Sequence, residues 1–484
     1  MTETTALPTS DLDALTARIH GAVLRPDSNT YDDERTGFQQ LAPHRPAVIV
    51  GAADVDDVRT AVEFAVAHRA PVAVQFSGHG LATGLAGGVL ITTHRMNDVR
   101  VEPEHRTAWV PAGASWQQVI EAAAPHGLAP LSGSSPGVGA VGYTLGGGLG
   151  LLARKYGFAA DHVQRIELVT AAGELMSVDE STDSELFWGL RGGGGGNFGI
   201  VTGMEIELLP IKTIFGGGLY FDVASQPDVL EHWRRWTREL PAEMTSALAM
   251  LVFPDLDMVP AELRGKQIVQ LQFSYCGSTA DGEALVEPLR AIGPIRDTLH
   301  ELPYTESATV FDEPDRPHSY RSQNRLLSDL DPRALATLPA KAGPAASAMC
   351  VVQLRQLGGA LAGEPTVANA IGHRNAGYSL TILSPIDEGR QKNGTEKTEP
   401  EQHVRALHDE LLAPFAEQSI GRLLNFSYGP LEWAQLPEAF DSNDFSRLIA
   451  LKTRLDPTDV IRANHPIPGG DAGWRGQRFT RNRT

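Results

Sequence analysis

The chain has 484 residues, 42% of them apolar and 21% charged. That mix excludes disorder as the main state and leaves room for two or three domains. A net charge of −18 argues against nucleic acid or an anionic membrane surface as the main partner. Two cysteines, Cys276 and Cys350, build neither a disulfide framework nor a cysteine zinc site, and no metal centre is expected. No basic-then-apolar leader and no 18-residue apolar run is visible, so a soluble, cytoplasmic protein is expected.

In chain order, Asp11–Ile19 reads as a short amphipathic helix. Ala47–Val50, Val55–His68 and Pro71–Gln75 form a βαβ-like unit. Short strands are predicted at Val89–Thr92, Val99–Glu102 and Ala108–Pro111, then a helix over Ser115–Ala124. A hairpin spans Val163–Val178, and Asp183 is placed to cap a helix at Ser184–Leu190. The strand Gly199–Leu209 ends at Pro210. Beyond it, strand-like runs at 218–223, 246–253, 267–275 and 377–383 are interleaved with helices at 227–240, 282–291 and 401–418. These predict a second α+β domain with a large sheet. Trp233 and Trp236 have ordinary helix-face spacing, Arg321 and Arg325 read as a solvated loop, and 388–401 as a charged surface loop.

Glycine is enriched, 49 residues against about 34 from average usage. Gly133-Ser-Ser-Pro-Gly137 fits the hydrolase G-x-S-x-G pattern, but Pro136 follows Ser135 and has no N–H to give an oxyanion. The glycines after it are not expected to start a helix. Gly137-Val-Gly-Ala-Val-Gly142 fits G-x-G-x-x-G without the strand before it or the long helix after it. Three glycine-rich segments, 78–88, 133–150 and 192–199, instead fall within one domain. Together they can wrap a large, flat, phosphate-bearing cofactor with backbone N–H groups.

The segments Ser77-Gly-His-Gly80, Thr144-Leu-Gly-Gly-Gly-Leu-Gly-Leu-Leu-Ala-Arg-Lys-Tyr-Gly157 and Leu186-Phe-Trp-Gly-Leu-Arg-Gly-Gly-Gly-Gly-Gly-Asn-Phe-Gly-Ile-Val-Thr202 resemble the FAD-binding PCMH-type proteins of the vanillyl-alcohol oxidase superfamily. The chain is most similar in pattern to the berberine bridge enzyme-like oxidases, and Asp456-Pro457…Val460-Ile-Arg-Ala-Asn464 matches their returning C-terminal segment. The resemblance implies an α+β, two-domain fold: an FAD-binding domain over 1–212 (core 42–212), a substrate domain over 213–445 with a large antiparallel sheet covered by helices, and a returning segment over 446–484.

It further implies FAD bonded through its 8α-methyl carbon to His79. A neutral imidazole is a competent nucleophile near pH 7, and the bond would raise the flavin's reduction potential. Ser135 stands where many relatives carry a second, cysteine link, so a single link is expected. The pyrophosphate is expected over Ser77–Gly80 and Gly142–Gly147. Gln75, Phe76, Gly84, Val138, Gly139, Tyr143, Gly146, Gly150, Gly196, Asn197, Gly199, Ile200, Val201 and Asn464 are also expected around the cofactor. A modest side chain at Val138, beside the oxygen-reactive carbon in relatives, favours O₂ as acceptor.

The implied reaction is oxidation of an alcohol- or amine-type C–H of a small organic molecule, a sugar or a secondary metabolite, with hydride passing to flavin N5 and O₂ becoming H₂O₂. Relatives carry a basic Tyr in a Y-x-N motif. Here Asn425 is kept and Leu423 replaces the Tyr. Tyr143, Tyr378, His373 and Tyr428 are the substitute bases, and Gln353 and Arg355 lie on a predicted pocket strand. A flavin-binding sequestering or resistance protein, and an FAD dehydrogenase with another acceptor, stay open as readings.

Overall fold

A computed structural model describes residues 7–386 and 400–469. The predicted loop at 388–401 and the end of the returning segment, 470–484, therefore lie almost entirely outside the described residues.

Three sheets organise the chain. The first holds β1 (Ala22–Leu24), β2 (Val48–Gly51), β3 (Val72–Gln75) and β4 (Val89–Thr92) in the order β1-β2-β4-β3. β4 pairs in parallel with both β2 and β3, which requires the crossover helix Val55–Ala67. The Asp54 carboxylate accepts from the Asp57 N–H and starts that helix. The second sheet holds β5 (Arg100–Glu102), β6 (Thr107–Pro111), β7 (Val163–Val169), β8 (Leu175–Val178) and β9 (Ile200–Glu207), all antiparallel, in the order β5-β6-β9-β7-β8. Asp183 caps the helix Ser184–Leu190, as its sequence predicts.

The third sheet has nine antiparallel strands among the described residues. They are β10 (Thr213–Asp222), β11 (Met244–Val252), β12 (Gln267–Tyr275), β13 (Arg296–Asp297), β14 (His300–Pro303), β15 (Tyr320–Leu327), β16 (Val351–Gln356), β17 (Tyr378–Pro385) and β18 (Ser419–Gly421). One face is apolar: Leu248, Leu271, Leu354 and Leu380 pack beneath helices that supply Leu230, Trp233, Leu407 and Leu411. The opposite face carries Gln270, Gln272 and Gln353. The fold is α+β.

Two expectations need correction. Arg321 and Arg325 belong to β15, not to a solvated loop; Arg321 is buried and pairs with Glu401 at 2.5 Å. The glycine stretch does start a helix, Ala140–Leu145. It is six residues long and stops at Gly146.

The third sheet is joined to the other two by buried polar contacts. Arg154 donates to the carbonyls of Leu357 (3.0 Å), Pro241 (2.9 Å) and Met244 (2.5 Å). Asp161 accepts from Arg374 (2.6 Å) and Asn369 (2.7 Å). Arg154→Ala would strand several carbonyls, each lost bond to the cation contributing about 1.5–3 kcal/mol. We expect a lower thermal midpoint and earlier proteolysis between 240 and 245, read by calorimetry and limited digestion.

The chain then returns. The helix Ser442–Leu455 ends at Asp456, and the Val72 N–H donates to the Val460 carbonyl at 2.9 Å. The turn is held by a buried ion pair, Lys452 Nζ to Asp456 Oδ2 at 2.7 Å, both about 1% exposed or less. Asp456 also accepts the Val460 and Ile461 N–H groups, at 2.8 and 2.9 Å. Lys452→Met leaves that carboxylate buried without its cation, a cost of about 3–5 kcal/mol. Adding Asp456→Asn removes the charge and is expected to recover part of the loss in denaturant titrations.

Candidate active site

Between the glycine-rich segments and the polar face of the third sheet lies a cavity of about 920 Å³. That is at the upper end of ligand sites, which span roughly 300–1,000 Å³. The end of β3 and the loop after it bring Gln75, Phe76, Ser77, Gly78, His79 and Gly80 to it. The segment before and within the helix Ala140–Leu145 brings Ser135, Val138, Gly139, Gly142, Tyr143 and Gly146. Gly196, Val201 and Asn464 complete one side, and Gln353, Asn425 and Tyr428 belong to the other.

His79 is fixed from several directions. Gly78 and Gly80 have φ values of 65° and 67°, which let the chain turn sharply on both sides of it. Its ring stacks on Phe38, centroids 3.9 Å apart and planes 15° apart. Ser77 Oγ lies 2.9 Å from Nδ1, and the same oxygen accepts the Gly139 N–H at 3.3 Å. Burial, with a smaller contribution from His318, pushes the His79 pKa down to about 4, so the imidazole is neutral at physiological pH.

The loop around His79 is closed by distant residues. Asn464 accepts the Ala82 N–H at 2.5 Å and donates to the Gly80 carbonyl at 2.9 Å. The Tyr320 hydroxyl accepts the Gly80 N–H at 3.1 Å. Tyr428 packs edge-on to Tyr320, centroids 5.3 Å apart, and its ring approaches the bare Cα of Gly80.

The remaining predicted residues fall outside the cavity wall. Asn197 donates to the Gly193 and His465 carbonyls and accepts the Ile467 N–H, so it fastens the returning segment. Ile200 is core between the first two sheets. Gly84, Gly147, Gly150 and Gly199 stand behind the wall, where Gly150 meets the Ser132 backbone and Gly199 meets Leu168.

Two proposed bases are misplaced. The Tyr378 hydroxyl bonds to Thr237 Oγ1 at 2.8 Å on the helix-covered face of the sheet. His373 bonds to the Glu438 carbonyl at 3.0 Å, away from the cavity. Leu423 packs with Leu149, Phe158 and Ile371, so its position is now core. Tyr143 and Tyr428 do line the cavity, but burial holds both phenols protonated far above their usual range.

Sequence reasoning missed Phe38, Ser134, Glu313, Tyr320, Gln270 and Gln272. Glu313 lines the cavity, accepts from Ser134 Oγ at 2.9 Å and lies 3.6 Å from Arg355 Nη2. Arg355 itself is clamped between the rings of Phe311 and Phe426. A signal for the glutamines was present. In β12 the apolar set Val269, Leu271, Phe273 alternates with Gln270, Gln272, Ser274, and all six are buried. The polar face of an antiparallel sheet is ordinarily solvated, and here it is covered because it lines the cavity.

Comparison with known proteins gives the family. A sequence profile described as an FAD binding domain matches residues 46–179. The chain is 34% identical over 477 residues to (R)-6-hydroxynicotine oxidase of Paenarthrobacter nicotinovorans, covering 93% of this chain and 97% of that protein. The chain belongs to the PCMH-type FAD-linked oxidoreductases. It is 26% identical over 461 residues to the FAD-linked oxidoreductase YgaK of Bacillus subtilis, with coverage of 93% and 97%. Among solved structures, 6-hydroxy-D-nicotine oxidase from Arthrobacter nicotinovorans superposes with a TM-score of 0.78 at 22% identity, over 93% of this chain and 98% of that one. Xylooligosaccharide oxidase from Myceliophthora thermophila gives 0.80 at 20% identity, over 95% and 100%.

As a PCMH-type oxidoreductase the chain calls for FAD, and its cavity suits one. Gly142 lies on the wall, and a Cβ built there would meet nothing within 4 Å, so backbone faces open space. Tyr143 OH and Asn425 Oδ1 are buried on the wall without a hydrogen-bond partner among the described residues. Buried polar atoms of this kind call for a partner. No helix among the described residues is long and apolar enough to cross a membrane.

Proposed function

We propose that this enzyme is an oxidase of a small alcohol or amine whose FAD is attached covalently, and only once, through His79. The observation that carries this is the placement of a neutral, immobilised imidazole in the wall of a cavity that meets both the glycine-rich segments and the third sheet. Ser135 gives no second attachment point. Bound FAD would supply the two-electron acceptor for the substrate C–H bond and hand those electrons to O₂. The modest side chain of Val138, on the cavity wall, favours access of O₂.

The protein's own part is to bind, orient and move a proton. The segments 77–80 and 142–146 would lie along the pyrophosphate, which would take the backbone N–H groups that they leave free. Asn425 donates to the Tyr143 carbonyl at 2.9 Å and sits so close to Gly146 that any side chain there would collide with it. That contact fixes the substrate domain against the cofactor cradle. For the proton, the protonated phenols of Tyr143 and Tyr428 are donors. Glu313 is the carboxylate we assign to accept the substrate's O–H or N–H proton, with Ser134 and Arg355 holding it in place.

The attachment has a pH signature. Protonation removes the nucleophile, and burial moves protonation of His79 down from its usual 6.5 to about 4. Reconstitution of apoprotein with FAD should therefore proceed at a constant rate from neutral pH to about pH 5 and slow only near pH 4. The rate is read as the flavin mass increment on the peptide carrying His79. A rate already halved at pH 6.5 would show an unperturbed imidazole and count against this reading of the site.

A further inference from the structure

The cavity wall formed by the third sheet changes character along its strands. Side chains on this face recur every second residue, and the registered pairs Ala249↔Gln270, Ala249↔Gln353 and Val351↔Leu383 put them in rows. The inner rows carry Gln272, then Gln270 and Gln353 flanking the small Ala249. The next row outward is Leu251, Val351 and Leu383, followed by Phe253 and Met349 at the rim. Leu251, Val351 and Leu383 are half-buried, and Met349 is 49% exposed. From Gln353 to Met349 the apolar strip runs four residues, roughly 14 Å at strand rise.

The glutamines are also polarised. Gln272 spends its amide N–H₂ on the Phe311 carbonyl at 3.4 Å, and a carbonyl can only accept, which fixes the amide's orientation. Gln270 donates to the Tyr220 hydroxyl at 2.9 Å. Neither Oε1 has a hydrogen-bond partner within the protein among the described residues, which leaves both carbonyl oxygens free to accept.

Resting on the oxidase reading above, we propose that the substrate is amphipathic: a head bearing O–H or N–H donors held by Gln270 and Gln272, and an uncharged apolar tail lying along Leu251, Val351, Leu383 and Met349. A polyhydroxylated chain such as an oligosaccharide would leave its outer hydroxyls against this strip without partners, a loss for every ring that extends past Gln353.

Affinity, rather than turnover, tests this. Purified flavin-loaded protein is titrated calorimetrically with n-alkanamides from propanamide to octanamide, which carry N–H donors and resist oxidation, and with cellobiose. Kd should fall about fourfold per added methylene, and cellobiose should bind more weakly than octanamide. Leu251→Gln and Leu383→Gln, checked for folding by their flavin spectra and melts, should flatten that dependence. Gln272→Met should instead weaken every amide by about the same factor, near tenfold. A Kd independent of chain length, binding of no amide at all, or cellobiose binding tighter than octanamide would overturn the proposal. The oxidase reading fails separately, on unattached flavin or on flavin that no alcohol or amine reduces.

Discussion

Glu313→Gln is expected to lower kcat by about 10²–10⁴, the usual contribution of a positioned proton acceptor, with a much smaller change in KM. The substitution keeps the length of the side chain and can keep the bond from Ser134 Oγ, so orientation survives and only proton affinity is lost. The loss should reside in the step that reduces the flavin, measured by anaerobic rapid mixing, and not in reoxidation by O₂. Glu313→Asp should fall between the two. Tyr428→Phe is expected to cost far less, because burial already holds that phenol protonated and it can give up no proton-accepting role. The reverse ranking, a nearly silent Glu313→Gln beside a dead Tyr428→Phe, would reassign the base.

The second large effect is expected from His79→Ala. On the proposed attachment, the wild-type protein should keep its yellow colour through acid precipitation, and the variant should release all of it to the supernatant. The cradle of backbone N–H groups is intact in the variant, so FAD should still bind, and the folded protein should remain coloured before denaturation. Without the proposed electron-withdrawing bond the flavin would pull less strongly on the substrate's electrons. A fall in kcat on the order of tenfold, equivalent to about 1.4 kcal/mol of barrier, is expected. Colour that stays in the pellet would mean that the attachment is elsewhere.

The cofactor side of this architecture is local in sequence and was correspondingly legible. Ser77–Gly80 and 133–147 are short runs whose glycines state their own backbone requirements, and all of their cavity residues lie within a few positions of one another. The substrate side is assembled from alternate residues of separate strands. Gln270 and Gln353 share a row only because each pairs with Ala249. That juxtaposition is created by register, which no local pattern contains. The misplacement of Tyr378 follows from the same period of two: it sits on the strand face opposite Thr381, three positions away, and that face is covered by helices. Glu313 was hidden in a loop between strands, where charged residues are common and carry no pattern. Arg321 and Arg325 misled because charge ordinarily marks solvent. Arg321 is buried against Glu401 from a helix some 80 residues later, a partner that only the tertiary fold supplies.

The loop bearing His79 is latched by Asn464, a residue 384 positions downstream. Vectorial synthesis delivers these two pieces 384 residues apart. Until residue 464 has been made, the histidine loop lacks its clasp, and until residue 456 has been made it also lacks the Lys452–Asp456 turn that aims the clasp. The histidine loop can be clasped only once Asn464 has been made and folded back onto it, so Asn464→Ala is expected to loosen the loop and slow flavin uptake with every glycine-rich segment intact, read by absorbance during reconstitution.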